Sequence, residues 1–299
     1  MSENTIHIPV MLSEILTWLA PAPGQIIVDG TLGGGGHTRE LARRVAPDGR
    51  VISLDRDPQA LARAETLLRG ECVTLAESNF CDLPAVLAQL EIPKVDAVML
   101  DLGLSSDQLA DESRGFSFHS EGPLDLRFNP EEGRPAWEIL QTLRENNLAD
   151  IIYEFGEERY SRRIARKIVE SRRAEPIRSA RQLAELVRRC VPFSRHETID
   201  RATRTFQALR IAVNREMESL EKILRHLPEC VRPGGRVAIL SFHSLEDRRV
   251  KEAFRDDSRY ETLTKKPIIA TEEEIFVNPR ARSAKLRVAE IKIPDSSGR

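Results

Sequence analysis

The chain has 299 residues, of which 40% are apolar and 31% charged, with a formal net charge of −2. That is enough for one large α/β domain with an insertion, or for two domains with a sizeable core. No apolar run approaches the ~20 residues of a membrane span, Met1–Ile8 lacks the basic and apolar regions of a secretory signal, and Cys72, Cys81, Cys190 and Cys230 form no C-x-x-C pair. A cytoplasmic chain with reduced thiols is expected, and the six dispersed histidines show no zinc-ligand spacing.

The first predicted element is an amphipathic helix over Val10–Leu19, with Leu12, Ile15, Leu16 and Leu19 inward. Strands and helices then alternate: strand Gln25–Asp29, helix His37–Ala46, strand Arg50–Asp55, helix Pro58–Arg69, strand Cys72–Ala76, helix Asp82–Leu90 and strand Val95–Asp101. This alternation predicts a doubly wound, mostly parallel, Rossmann-like α/β sheet. From Leu104 to about Arg134 the chain is polar and shows no clear period. Helices follow at Ala136–Glu145, Leu148–Phe155, Glu157–Arg173 and Ala180–Cys190, then a long one at Thr203–Leu227. After Pro233-Gly-Gly235 come strand Arg236–Ser241, helix Leu245–Phe254, and strands Arg259–Lys265 and Lys285–Ile293. The expected organisation is a discontinuous sheet domain, 1–106 with 206–299, split by a helical insert over 107–205.

Charge is uneven. Between Arg159 and Arg215 stand sixteen Lys/Arg against five Asp/Glu. Within this stretch Tyr160, Ile164 and Ile168 mark a packing face, and Arg159, Arg162, Arg163 and Arg166 a basic one. Arginine suits phosphate and base contacts, so this region points to a nucleic-acid partner.

The most informative segment is Asp29-Gly-Thr-Leu-Gly-Gly-Gly-Gly-His37, followed by Arg50–Asp55. A strand ending in a carboxylate turns through glycines into a helix, and the next strand ends in Asp55. That is the layout of a nucleoside site at the carboxyl edge of a parallel sheet. Gly35 and Gly36 let backbone approach a ligand where a Cβ would collide, and Asp55 stands where it can accept from both ribose hydroxyls. A dinucleotide fingerprint needs a third glycine where Thr38 or Arg39 falls. Asp29 is expected to point a carboxylate at the turn, which suits a cationic ligand better than a phosphate. S-adenosylmethionine, with a ribose, a sulfonium and no phosphate, meets these conditions. Phe80, just past the third strand, is placed to cover an adenine ring.

The fourth strand ends in Asp101-Leu-Gly-Leu-Ser-Ser-Asp-Gln108, at the same sheet edge. Amino-group methyltransferases often carry Asp/Asn-Pro-Pro-aromatic in this slot, where an acceptor holds the exocyclic amine of a base. The amine lone pair is delocalised into the ring and must be freed to attack, so acceptors and rigid positioning supply the catalysis. Phe116 and Phe118 are placed to stack a flipped base or to staple their loop. His243 is expected to cap a helix; Asp247 stands one turn on.

Taken in order, these segments resemble the bacterial 16S rRNA (cytosine-N4) methyltransferase family, RsmH or MraW. The resemblance runs through His7–Glu14, Asp29–His37, Asp55-Arg-Asp-Pro58, Asp101–Ser106 with Gln108, Arg114-Gly-Phe-Ser-Phe118, Gly122-Pro-Leu-Asp-Leu-Arg127, Thr203-Arg-Thr-Phe-Gln207, Ser241–Arg248 and Asn278–Ser283. It implies S-adenosylmethionine as methyl donor and cytidine 1402 of 16S rRNA, in the decoding region of the small ribosomal subunit, as substrate. It also implies binding roles for Gly35, Gly36, His37, Asp55, Phe80, Asp101 and Gln108; those of His37 and Gln108 rest on the resemblance alone. In one respect the chain departs from the wider amino-methyltransferase pattern: Leu102-Gly-Leu104 replaces Pro-Pro-aromatic. Phe116, Phe118 and Phe242 remain open as the replacement, and the proton acceptor and oligomeric state remain open too. A nicotinamide-dependent dehydrogenase and a non-catalytic RNA-binding module are the competing classes.

Overall fold

A computed structural model describes residues 9–193 and 199–293. His7, Arg195, Glu197 and the C-terminal residues from Pro294 lie outside the described residues. The chain forms two compact units, Met1–Leu104 with Glu218–Arg299, and Ser105–Met217.

The first unit opens with α1 (Leu12–Leu19) and alternates through β1 (Ile26–Asp29), α2 (Gly36–Val45), β2 (Arg50–Asp55), α3 (Pro58–Leu67), β3 (Val73–Glu77), α4 (Leu83–Gln89) and β4 (Val95–Asp101). Asp57 caps α3 by accepting from the Gln59 amide at 3.0 Å, with Pro58 at the first helical position, where no amide is needed.

The second unit is helical: α5 (Ser106–Ala110), α6 (Ala136–Thr142), α7 (Glu145–Gly156), α8 (Ser161–Ala174), α9 (Ala180–Cys190) and α10 (Thr203–Asn214). Helix α7 packs on α8 and α10, and α8 on α9. Helix α8 starts four residues later than the periodicity predicts. Glu157 adopts a left-handed conformation (φ 49°) and the Glu158 carboxylate accepts from the Tyr160 amide, so the chain turns there instead of coiling on. Ile164, Ala165 and Ile168 are buried while Arg162, Arg163, Arg166 and Lys167 are exposed. Arg159 precedes the helix, with its guanidinium over the Tyr160 ring. In the long polar loop Phe116 stacks on Phe128 and Phe118 meets Phe206 edge-on. Asn214 fastens the same loop, accepting from the Phe128 amide and donating to the Leu126 carbonyl, both at 2.7 Å.

The expected single helix Thr203–Leu227 is in fact two. Arg215 takes a left-handed conformation (φ 51°) that ends α10, and α11 (Glu216–Cys230) starts afresh. The chain continues through β5 (Val231–Ser241), α12 (Ser244–Asp256), β6 (Tyr260–Thr262), β7 (Ile268–Ile269), α13 (Glu272–Val277) and β8 (Lys285–Ile291). Pro233-Gly-Gly235 lies inside β5, not ahead of it. The pairing slips there, Val95 facing Val231 but Ala97 facing Arg236, which is the bulge that Pro and Gly favour.

The sheet order is β3-β2-β1-β4-β5-β8-β6, with β7 also on β8. Strands β3, β2, β1, β4 and β5 are parallel; β8 runs antiparallel to its neighbours. Alternate strand residues enter two separate cores. Val28, Ile52, Val98, Leu100 and Ile239 meet α4, α11 and α12, while Ile27, Val51, Met99 and Leu240 meet α1 and α2. Both faces are covered, so the strands read as continuous apolar runs. Their ends Asp29, Asp55, Asp101 and Ser241 share one carboxyl edge, and the order reverses between β1 and β4, where such sheets bind ligands.

Candidate active site

The site is built on the turn from β1 into α2. The Gly35 amide donates to the Leu32 carbonyl at 2.7 Å, and Gly35 itself, at φ 73°, precedes the first residue of α2. An L side chain there would be strained by about 1–2 kcal/mol. Gly36 admits no Cβ either, since one would fall 2.6 Å from Pro9. The Gly33 amide donates to Asp55 Oδ2 at 2.8 Å, which ties this turn to the end of β2.

The carboxylates have different tasks. Asp29 is fully buried. Its oxygens accept from the Thr31 amide (3.1 Å) and the Thr38 hydroxyl (2.7 Å), and Thr38 in turn meets Ser53 at 2.7 Å. Burial raises its pKa above the usual carboxylate range, opposed by the neighbouring His37. Asp29 therefore points its carboxylate at the turn, as expected, and its partners there are Thr31 and Thr38. Asp55 is half-buried, and each oxygen accepts one backbone amide, from Gly33 and from Asp57 at 2.9 Å. Burial pushes its pKa up to about 6 against those two hydrogen bonds. A carboxylate has about four acceptor positions, so two hydrogen bonds leave capacity for a diol.

Asp101 closes β4. Its amide donates to the Thr31 hydroxyl at 2.6 Å, and its Oδ2 lies 3.9 Å from His37 Nδ1. The other imidazole nitrogen, Nε2, is 3.0 Å from the Val10 carbonyl. Donation to that carbonyl puts the proton on Nε2 and turns Nδ1 toward Asp101. Phe80 opens a 3-10 turn after β3 and lies over Gly30, where an added Cβ would come within 3.1 Å of Phe80 Cβ.

The first unit thus gathers Gly35, Gly36, His37, Asp55, Phe80 and Asp101 at one sheet edge. Gln108 belongs to the second unit, as the third residue of α5. Its side chain accepts from the Ser105 amide and its amide donates to the Ser105 hydroxyl, both at 3.1 Å, a reciprocal cap. Thr31, which links Asp29 to Asp101, was missed in the sequence; a threonine in a glycine turn carries no signal of its own. Asp247 ion-pairs with Arg287 (2.6 Å) and Lys285 (3.3 Å), which hold its pKa down, while His243 caps α12.

A glycine-lined turn flanked by carboxylates at the switch point of a parallel sheet defines a nucleoside-binding α/β protein. A model of the MraW methylase family matches residues 4–292, and the chain belongs to that family of methyltransferases. It is 51% identical over 297 residues to a ribosomal RNA small subunit methyltransferase H of Rhodopirellula baltica, covering 96% of this chain and 91% of that one. It is 49% identical over 287 residues to the protein of that name in a Cyanothece species (95% and 94% covered). Over 290 residues it is 48% identical to the one in Deinococcus deserti (97% and 94% covered).

Proposed function

We propose that this methyltransferase modifies N4 of a cytidine in 16S rRNA of the small ribosomal subunit, at the position corresponding to cytidine 1402, with S-adenosylmethionine as methyl donor. The observation that carries this reading is the pairing of Asp55, half-satisfied by backbone amides, with Asp101 across a turn whose glycines leave the backbone bare.

The residues fit the donor. Asp55 has acceptor capacity left for the two ribose hydroxyls, Gly33–Gly36 present backbone without side chains, and Phe80 offers an apolar edge beside Gly30. When bound, S-adenosylmethionine supplies a methyl group activated by its sulfonium.

The remaining work falls to the protein. The Asp101 carboxylate accepts an N–H of the exocyclic amine, which favours the pyramidal nitrogen whose lone pair attacks, and it stabilises the positive charge that develops there. Thr31, which accepts from the Asp101 amide, holds the strand end that carries this carboxylate, and His37, fixed by the Val10 carbonyl, stands beside it. Selection of an RNA is assigned to the second unit. There a groove of about 640 Å³ between α8 and α9 is lined by Arg163, Arg166, Lys167 and Arg189 together with Glu170, Glu175 and Glu185. It carries only a small excess of positive charge, and the support for an RNA comes from the exposed arginines of α8. Among the described residues no helix is long and apolar enough to cross a membrane.

The test is methyl transfer from labelled S-adenosylmethionine to small subunits lacking the modification, with the product mapped by mass spectrometry. One N4-methylcytidine in the decoding region is expected. Label at another base, or at a ring carbon, would overturn the assignment.

A further inference from the structure

A base taken out of its helix for reaction is held by stacking on aromatic or apolar side chains, and the strand-end segment Leu102-Gly-Leu104 contains no aromatic residue. Phe116 and Phe118 are engaged with Phe128 and Phe206 inside the second unit. Phe242 is placed differently. Leu240 pairs with Asp101 in the β4–β5 register, and the Leu102 amide donates to the Leu240 carbonyl at 3.1 Å, so parallel pairing continues past Asp101. Two residues beyond each member of the Leu240–Asp101 pair stand Phe242 and Gly103. A Cβ at Gly103 would lie 2.9 Å from Phe242 Cε2 and 3.1 and 3.2 Å from the next two ring atoms. The ring therefore rests on bare backbone at the end of the strand that carries Asp101.

The ring is also held. The Phe242 amide donates to Glu246 Oε2 at 2.8 Å, and Glu246 is 1% exposed. Its other oxygen lies 3.0 Å from His243 Nε2, and the Glu246 amide donates to His243 Nδ1 at 3.4 Å. The hydrogen bond from the Phe242 amide to this buried carboxylate fixes the backbone from which Phe242 projects. Phe242 is half-buried and packs against the core that α1 and α2 share with the sheet.

Resting on the proposed base methylation, we infer that Phe242 is the surface on which the target cytosine stacks, that Gly103 is required to seat it, and that Glu246 is its positioning residue. A pyrimidine lying on this ring has Asp101, two residues before Gly103, within the same strand end to receive its exocyclic amine. Stacking on a rigid ring suits a base taken out of its helix, since every base has a π-face.

Steady-state methylation of unmodified small subunits by Phe242→Ala, Phe242→Leu and Phe242→Tyr tests this, with donor affinity measured by calorimetry. The Ala and Leu variants should lose about tenfold to a hundredfold in kcat, the range of one base–aromatic stack. Phe242→Tyr should keep at least half of the wild-type kcat. KM for subunits and affinity for S-adenosylmethionine should stay within about twofold in all three. Gly103→Ala, by displacing the ring, should reproduce the Ala defect. A Leu variant as active as the Tyr variant makes Phe242 mere packing, and an Ala variant with wild-type kcat removes it from the site; either result overturns the inference. If Phe242→Ala fails to fold, the Leu–Tyr contrast decides alone. Wild-type chain that methylates no base in small subunits instead defeats the function on which the inference rests.

Discussion

The carboxyl edge of the sheet and the outer face of α8 are both polar, yet their side chains behave in opposite ways. At the sheet edge the Asp29 and Asp55 carboxylates have backbone or hydroxyl partners within 2.7–3.1 Å, and Asp101 is fixed through its main chain, the amide donating to the Thr31 hydroxyl at 2.6 Å. On α8, Arg162 and Arg163 are exposed, and neither is paired with an acid among the described residues; Arg166 makes only a 3.5 Å exposed pair with Glu145. The first region is the proposed donor site, where recognition would rest on fixed geometry. The second offers charge that a polyanion can meet in many registers. One substitution should therefore disable the first, whereas the second should weaken by degrees.

The largest effect should come from Asp101→Ala. Loss of one preorganised polar contact at a developing charge costs roughly 10²–10³ in kcat, with donor affinity little changed. Steady-state kinetics on small subunits measures it, and a kcat within a few fold of wild type would erase the sharp side of the contrast. Next is Asp55→Ala, expected to weaken S-adenosylmethionine binding by about 1–3 kcal/mol, or about fivefold to over a hundredfold by calorimetry.

A smaller and more diagnostic effect follows from the Asp55 pKa near 6. Ribose hydroxyls donate to the ionised carboxylate, so donor affinity should rise with pH through about 6 and be roughly tenfold weaker at pH 5. Fold stability should have the opposite slope. A carboxyl whose folded pKa exceeds its ordinary 3.8 stabilises below that value, and the contribution is lost as pH rises through about 6. Asp55→Asn should flatten both profiles, which calorimetry and thermal melts from pH 4 to 8 can follow. The smallest effect per residue is expected on α8. Reversing Arg162, Arg163 and Arg166 to Glu should lower RNA affinity and reduce the salt slope by about 0.7–0.9 for each phosphate no longer neutralised. An unchanged slope would make that face ordinary solvated surface.

The same contrast explains what the sequence disclosed. The strands and their order of appearance were legible because β-branched runs alternate with helical periods, and Asp55 and Asp101 because each ends such a run. The Rossmann-like sheet followed from that alternation, but not the reversed direction of β8, which local periodicity does not encode. That Asp29 faces the turn was legible, but its bonds to Thr31 and Thr38 were not, because a strand-end carboxylate looks the same whatever its partners. His37 could be reached only by resemblance, since its neighbours, the Val10 carbonyl and Asp101, come from remote segments. The break at Arg215 escaped because a non-glycine residue in the left-handed region leaves no mark in composition. The neighbours of Phe116, Phe118 and Phe242, which are Phe128, Phe206 and Gly103, come from other segments, so the sequence could not rank the three.

A crystal structure with S-adenosylhomocysteine, the demethylated donor, gives the most direct test of the site. The ribose hydroxyls should bond to Asp55, with the ligand running along the Gly33–Gly36 turn toward Asp101. Ligand density elsewhere on the chain, with Asp55 bonded only to Gly33 and Asp57, would contradict the assignment of this sheet edge as the donor site.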